Sequence, residues 1–295
     1  MGWSEGFIAV DWGTTNRRAY RIDGGGQCVE EIEDPKGVLA IPAGGFPAAA
    51  GEIRERLGDL PLLLAGMVGS TRGWVEAPYV SCPASLEELA AALCWIEPKR
   101  TAIVPGLSST VGGNWDVMRG EEIQLFGAIA SAMIPPTALV CHPGTHNKWI
   151  IVEEGRIGDF QTVMTGEMFN LLKSHGILAE FMGGDVAAGA PFRDGVRRGL
   201  DQGVLTADLF SVRARVLLGS LEREDAADYV SGLLIGLDMS LGLGLEREAD
   251  LIVMGRPDLA RLYEVAAAEA GRSCRTVDGA DAFIAGALAI GSMIE

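Results

Sequence analysis

Gly13-Thr14-Thr15-Asn16-Arg17 returns 131 positions later as Gly144-Thr145-His146-Asn147-Lys148, with glycine, threonine and asparagine in the same places and a basic residue closing each stretch. The surroundings repeat as well. Around the first copy, Phe7 to Val10, Arg17 to Ile22 and Gln27 to Ile32 read as three short strands, and Asp23-Gly24-Gly25-Gly26 supplies the positive-φ residues that a tight hairpin wants. Around the second, Ala138 to Cys141, Lys148 to Val152 and Ile157 to Met164 read the same way, with Glu153-Glu154-Gly155 as a turn. A Gly-Thr turn between the first two strands of a meander, met twice and followed each time by helix, strand and helix, predicts a duplicated domain.

Outward from the first copy, the pattern gives a helix near Ala48 to Leu57 and a buried-strand run Leu62-Leu63-Leu64-Ala65. A helix over Leu86 to Leu93 opens on Ser85 as N-cap, then come a strand at Ala102 to Val104 and a helix over Glu121 to Met133. Ile134-Pro135-Pro136-Thr137 cannot continue that helix, so the domain border is expected there, with domains at 1–135 and 136–295. The second half continues with a helix at Glu167 to Leu172, an irregular Gly-rich and charged stretch from Met182 to Gly203, and a helix near Asp225 to Leu241. A strand at Leu251 to Met254 and helices at Asp258 to Glu269 and Ala282 to Met293 follow. The alternation makes the chain α/β.

At 295 residues there is room for two hydrophobic cores. Apolar residues are 48% and charged residues 22%, the balance of a globular enzyme. A formal charge of −16 with no Lys/Arg run argues against nucleic-acid and anionic-membrane partners. Cys28, Cys82, Cys94, Cys141 and Cys274 form no C-x-x-C pair, and they read as reduced thiols of a cytoplasmic protein. The N-terminus has no export pattern. Leu233 to Leu245, the most membrane-like stretch, is too short for a span and carries Asp238, so a buried helix is expected. A homo-oligomer is compatible with the sequence.

A Gly-Thr turn presents backbone N–H groups and hydroxyls in a concave array that suits phosphate oxygens. Two such turns, one per domain, are placed to hold a polyphosphate. Asp11, at the end of the first strand, is placed to hold Mg²⁺ directly or through water. For one turn alone an ordinary hairpin would be the simpler account; the pair favours phosphate. There is no G-x-x-x-x-G-K-[ST] and no G-x-G-x-x-G after a strand. His142 and His146 share no helical face and have no third ligand nearby, so no zinc site is expected.

Asp11-Trp12-Gly13-Thr14-Thr15-Asn16 with Cys141-His142-Pro143-Gly144-Thr145-His146-Asn147-Lys148-Trp149 resembles the two phosphate motifs of the actin/Hsp70/sugar-kinase superfamily. More narrowly the chain resembles the 2-dehydro-3-deoxygalactonokinase family. That match includes Ala65-Gly66-Met67-Val68-Gly69-Ser70, Gly73-Trp74-Val75-Glu76-Ala77-Pro78-Tyr79, Met118-Arg119-Gly120-Glu121-Glu122 and Met164-Thr165-Gly166-Glu167. The resemblance implies two ribonuclease-H-like domains of the actin-like ATPase fold with a nucleotide cleft between them. It implies ATP and Mg²⁺ as cofactors, a sugar acid as partner, and transfer to the 6-hydroxyl of 2-dehydro-3-deoxy-D-galactonate. The first domain would carry the sugar-acid pocket, the second the adenosine site.

By the same resemblance, nucleotide contacts fall on Gly13, Thr14, Thr15, Gly144, Thr145, His146 and Lys148, with Gly255 and Arg256 bordering adenine where many relatives have Gly-Gly. Acceptor contacts fall on Asn16, Ser70, Arg72, Trp74, Glu76, Tyr79 and Arg119. His142-Pro143 stands where several superfamily kinases have an aspartate, so the base is sought elsewhere, at Glu121 or Glu122 opening a helix. A helix N-terminus favours an ionised carboxylate. Leu125, Phe126 and Ile129 put a buried stripe on the side that includes Glu122 and leave Glu121 at its edge, the better base by geometry. The plainer alternative is two acids stabilising a first turn. The alternative functions are a kinase for another sugar or acid, and a non-catalytic actin-like ATP-binding regulator.

Overall fold

The computed structural model describes residues 3–110 and 113–294. The chain forms two compact units, and they are not two consecutive stretches. Residues 1–136, 152–159 and 279–295 make the first, and 137–151 and 160–278 the second. The expected border at 135/136 lies beside the first crossing; the sequence had no signal for the two returns.

The first unit opens with β1 (Gly6–Trp12), β2 (Arg17–Asp23) and β3 (Cys28–Asp34), then α1 (Phe46–Leu57), β4 (Leu62–Gly66), β5 (Tyr79–Ser81) and α2 (Leu86–Ala91). It continues with β6 (Cys94–Glu97), β7 (Thr101–Ile103), β8 (Gly106–Ser109), β9 (Asp116–Met118) and α3 (Glu121–Ala130). Its main sheet has the order β3-β2-β1-β4-β7-β6, antiparallel through the meander and parallel from β1 to β4 to β7. The pattern explains this: Leu62-Leu63-Leu64 is buried on both faces, as a central parallel strand must be. α1 buries Ala49, Ala50, Ile53 and Leu57 over Ile8, Val10, Trp12 and Leu64. α2 starts with the expected Ser85 cap, which forms a full capping box with Glu88. β5, β8 and β9 form a small separate sheet.

The second unit contains β10 (Ala138–His142), most of β11 (Asn147–Glu153), the second half of β12 (Arg156–Val163) and α4 (Thr165–Ser174). It continues with α5 (Ala190–Leu200), α6 (Leu205–Leu217), α7 (Ala226–Leu245), β13 (Leu251–Gly255), α8 (Pro257–Glu269) and β14 (Cys274–Asp278). Its sheet, β12-β11-β10-β13-β14, repeats the strand order β3-β2-β1-β4-β7 of the first.

The expected irregular stretch from Met182 to Gly203 is corrected: its second half is α5. Pro191 sits in the first turn, where proline is tolerated, and Gly195 and Gly199 are packing positions rather than breaks. A Cβ on Gly195 would lie 2.1 Å from the Tyr229 carbonyl, and one on Gly232 would lie 2.0 Å from that of Phe192, so α5 and α7 meet backbone to backbone. α7 is long and apolar enough to cross a membrane, but nearly three quarters of it is buried inside the protein and Asp238 sits in the core, the buried helix expected.

The last helix, α9 (Gly279–Gly291), belongs to the first unit. It packs on α3 by the same device: a Cβ on Gly286 would lie 1.9 Å from the Ile123 carbonyl, and one on Gly127 would lie 2.0 Å from that of Ala282.

Candidate active site

The first turn, residues 13–16, joins Trp12 to Arg17, paired across β1 and β2, and closes with Gly13 N–H donating to the Asn16 carbonyl at 3.0 Å. The segment after β3 folds back under it. The N–H groups of Gly37, Val38 and Leu39 donate to the carbonyls of Thr15, Gly13 and Thr14 at 2.9, 3.0 and 3.3 Å. With its carbonyls engaged there, the turn leaves Thr14, Thr15 and Asn16 exposed, a presentation that suits an anion. Gly37 is obligatory: a Cβ would lie 2.3 Å from the Thr15 carbonyl carbon.

The second turn, between β10 and β11, has its own brace. Glu167 N–H on α4 donates to the Thr145 carbonyl at 2.9 Å. A Cβ on Gly166 would meet the Gly144 carbonyl oxygen at 2.5 Å. The ring of His146 pairs with Glu167 through Nε2 at 2.5 Å.

The basic residues that close the two motifs are both buried. Arg17 is buried, bound to both Asp34 oxygens and to the Ala49 carbonyl, with its guanidinium 5.0 Å from the Trp12 ring centre. Lys148, expected to touch nucleotide, is buried and donates to the His146 carbonyl at 3.3 Å, which stiffens the turn from inside.

Asp11, the penultimate residue of β1, is half-buried and paired in register with Ala65 and Arg18. Burial pushes its pKa up to about 6; Arg18 opposes this, while Glu121 and Glu33 add to it. Two glycines permit the approach of α3. A Cβ on Gly66 would lie 3.5 Å from Asp11 Oδ1, and one on Gly120 would lie 3.2 Å from the Gly66 Cα; both residues have positive φ, 90° and 108°.

The two acids at the start of α3 differ sharply. Glu122 is fully buried, accepts from Gly120 N–H at 2.6 Å through one oxygen, and leaves the other buried without a partner. Burial first, and then Glu121, push its pKa up to about 8, so it is neutral at pH 7. Glu121 is partly exposed and accepts from Arg119 N–H at 3.2 Å.

The expected acceptor residues separate into two groups. Arg72 and Trp74 line a pocket of about 590 Å³ with Val38, Leu39, Ile41 and Phe46. Val38 and Leu39 are the residues that brace the first turn. Trp74 stacks on Phe46 at 6.3 Å with the rings 12° apart. Arg119 and Tyr79 lie elsewhere, with the guanidinium 4.4 Å over the ring and Nη2 donating to the Ala77 carbonyl at 2.7 Å. Nε and Nη1 of Arg119 are buried without partners. Ser70 serves its own loop, donating to the Met67 carbonyl and accepting from Arg72 N–H. Glu76 is exposed and does not line that pocket.

In the second unit, Pro143 and Gly144 of the turn form part of the wall of a largely apolar cavity of about 400 Å³. Thr165, Gly166 and Phe169 of α4 and Leu259, Leu262 and Tyr263 of α8 also line it. Gly255, expected at adenine, is near it: it has φ of 151°, and a Cβ there would lie 3.7 Å from the Pro143 carbonyl. Arg256 caps α8 and pairs with Asp258, which does line the cavity. Sequence reasoning missed Leu259, Leu262 and Phe169. The apolar spacing of Leu259, Leu262 and Ala266 was visible but identical to that of any core-facing helix.

Among the described residues no three His, Cys, Asp or Glu side chains gather into a metal cage. Mg²⁺ does not require one, because it is commonly held by one or two carboxylates together with substrate phosphates. Asp11 beside the first turn fits that role: burial raises its pKa, and a cation would relieve it.

Two sheets of one strand order, each ending its first hairpin in a braced Gly-Thr turn, place the chain in the class of actin-like ATPases and sugar kinases. The fold agrees with that of the activator of 2-hydroxyisocaproyl-CoA dehydratase from Clostridium difficile, solved with bound ADPNP: TM-score 0.52 at 10% identity, covering 98% of this chain and 95% of that one. Within this class the chain belongs to the 2-keto-3-deoxy-galactonokinase family, whose profile matches residues 11–290. It is 36% identical over 283 residues to the 2-dehydro-3-deoxygalactonokinase of Escherichia coli (strain K12), covering 95% of each. A Sinorhizobium meliloti protein assigned to the same activity has a crystal structure similar to this one, with TM-score 0.91 and 35% identity over 98% of this chain and 99% of that one.

Proposed function

We propose that this protein transfers the γ-phosphoryl group of ATP to the 6-hydroxyl of 2-dehydro-3-deoxy-D-galactonate, with Mg²⁺ held at Asp11. The observation that carries the nucleotide half is the sharing of Pro143 and Gly144 between a phosphate-type turn and a nucleoside-sized apolar cavity. A base in that cavity brings its phosphates to the Gly144-Thr145 turn, whose Thr145 and His146 are exposed. The acceptor half rests on the pocket at Arg72 and Trp74, where a planar guanidinium suits a carboxylate and an indole suits the carbon face of a sugar acid.

Phosphoryl transfer asks mainly for positioning and charge stabilisation. When bound, Mg²⁺ would neutralise charge on the phosphate oxygens. Asp11 would hold it, directly or through water. Glu121, ionisable and partly exposed beside Asp11, takes the proton from the acceptor hydroxyl, and Glu122, buried and neutral, anchors the first turn of α3.

An ADP-release screen over aldonates, 2-keto-3-deoxyaldonates and neutral deoxysugars tests this. Turnover should require a carboxylated acceptor and peak with the galactonate derivative. Comparable kcat/KM on a neutral deoxysugar would refute the acceptor, and ATP binding without acceptor-dependent turnover would refute the kinase.

A further inference from the structure

Asp238 lies on α7 with about 1% of its surface exposed, and it takes no part in the chemistry above. Four side chains from three other elements converge on its two oxygens. Oδ1 accepts from Asn147 Nδ2 at 3.1 Å and from Trp149 Nε1 at 2.6 Å, both on β11. Oδ2 pairs with the hydroxyls of Thr165, which opens α4, and Tyr263 on α8, each at 2.6 Å. No Lys or Arg is among these partners. Asn147 Nδ2 and Trp149 Nε1 can only donate, so Oδ1 carries no proton.

The four partners include the parts of the nucleotide-side architecture that must keep register. Asn147 directly follows the Gly144-Thr145-His146 turn. Thr165 and Tyr263 line the 400 Å³ cavity and hold Asp238 with their hydroxyls. Ser231, Leu234 and Ile235, in the two turns of α7 before Asp238, line that cavity too. The Trp149 ring is seated on α7, where a Cβ on Gly242 would lie 2.0 Å from it.

We infer that Asp238 is a positioning residue for the nucleotide: it sets the spacing between the second Gly-Thr turn and the walls of the cavity. This rests on the reading that the cavity takes the nucleoside. An apolar core would also hold these helices together, but it is non-directional and would tolerate sliding of α8 against β11. Four hydrogen bonds to one carboxylate fix both distance and angle, and a buried donor that loses its acceptor resists any displaced arrangement.

The variants are Asp238→Asn, Asp238→Leu, Thr165→Val and Tyr263→Phe in the full chain. Readouts are calorimetric binding of a non-hydrolysable ATP analogue, separate KM values for ATP and acceptor, and thermal melting. An asparagine can keep its oxygen toward Asn147 and Trp149 and turn its amide toward the two hydroxyls, which can accept; Asp238→Asn should therefore bind the analogue within about threefold of the native protein, less than the loss of one net hydrogen bond. Tyr263→Phe and Asp238→Leu should weaken the analogue and raise KM for ATP on the order of 10-fold, with acceptor KM unchanged. If Asp238→Leu does not fold, Thr165→Val and Tyr263→Phe decide. Lower melting temperatures with unchanged analogue affinity, or equal rises in both KM values, would overturn the inference. A native protein that binds no nucleotide analogue would instead overturn the nucleotide reading of the cavity.

Discussion

Glu122→Gln separates the two acids of α3 by stability as well as by rate. In the folded protein Glu122 titrates near 8, against 4.5 for a free glutamate. Between those values the unfolded chain has released the proton and the native state still holds it, so native stability falls as pH rises from about 4.5 to about 8. Below that window both states are protonated; above it both are ionised and the penalty stays constant. At 1.36 kcal/mol per pKa unit, the full shift corresponds to a loss of about 5 kcal/mol, an upper bound that relaxation or water entry at pH 8 would reduce. Glutamine keeps an acceptor for Gly120 N–H and cannot ionise. Asp11 contributes a slope of the same sign between 3.8 and about 6 in both proteins, so the difference between the two profiles isolates Glu122. Denaturant melts from pH 5 to pH 9 should show the native protein losing stability steadily while Glu122→Gln stays flatter and is the more stable of the two at pH 8.5. Near-native kcat is expected, because Glu122 is already uncharged at pH 7. Parallel stability profiles would refute the buried neutral acid, and a collapse of kcat would move the base to Glu122.

Glu121→Gln should lower kcat by ~10²–10⁴-fold, with binding of an ATP analogue largely kept, measured by steady-state kinetics and calorimetry. Asp11→Asn should reduce turnover far more than it weakens analogue binding, and the residual rate should respond weakly to Mg²⁺ titration. Gly37→Ala forces the first turn off its brace and should raise KM for ATP while the melting temperature falls by only a few degrees; no change in KM would detach that turn from nucleotide. Gly232→Ala pushes α5 from α7 and should destabilise the protein by about 1–3 kcal/mol in chemical unfolding, the usual range for overpacking.

Both meanders, the central strands and most long helices were legible, because their hydrophobic periods are strong and the Gly-Thr repeat fixed how the halves correspond. β6, β8 and β9 were not: each is three or four residues long, too short to show a period. α5 hid behind Pro191, Gly195 and Gly199, whose local preference for turns gives way to tertiary packing against Gly232 and Gly236. In the candidate site, spacing alone placed Glu122 on the buried side of α3 and Glu121 at its edge, and burial follows that division. What spacing cannot reveal is convergence across the chain. Arg72 and Arg119 looked equivalent from their motifs, yet one lines the pocket beside the first turn and the other lies against Tyr79 and Ala77. Asp238 looked only like an interruption in an apolar helix.

The seating of α9 on α3 bears on how the protein is born. A ribosome emits residues in order, and domains commonly fold as they emerge. Here the strands of the first sheet are complete long before the helix that covers Ile123 and Gly127 exists, so the segment carrying Glu121 waits through translation of the whole second unit with its glycine-lined groove uncovered. Maturation of that segment therefore waits for α9, and a nascent chain released before residue 291 would carry every proposed active-site residue without the helix that locks α3 in place.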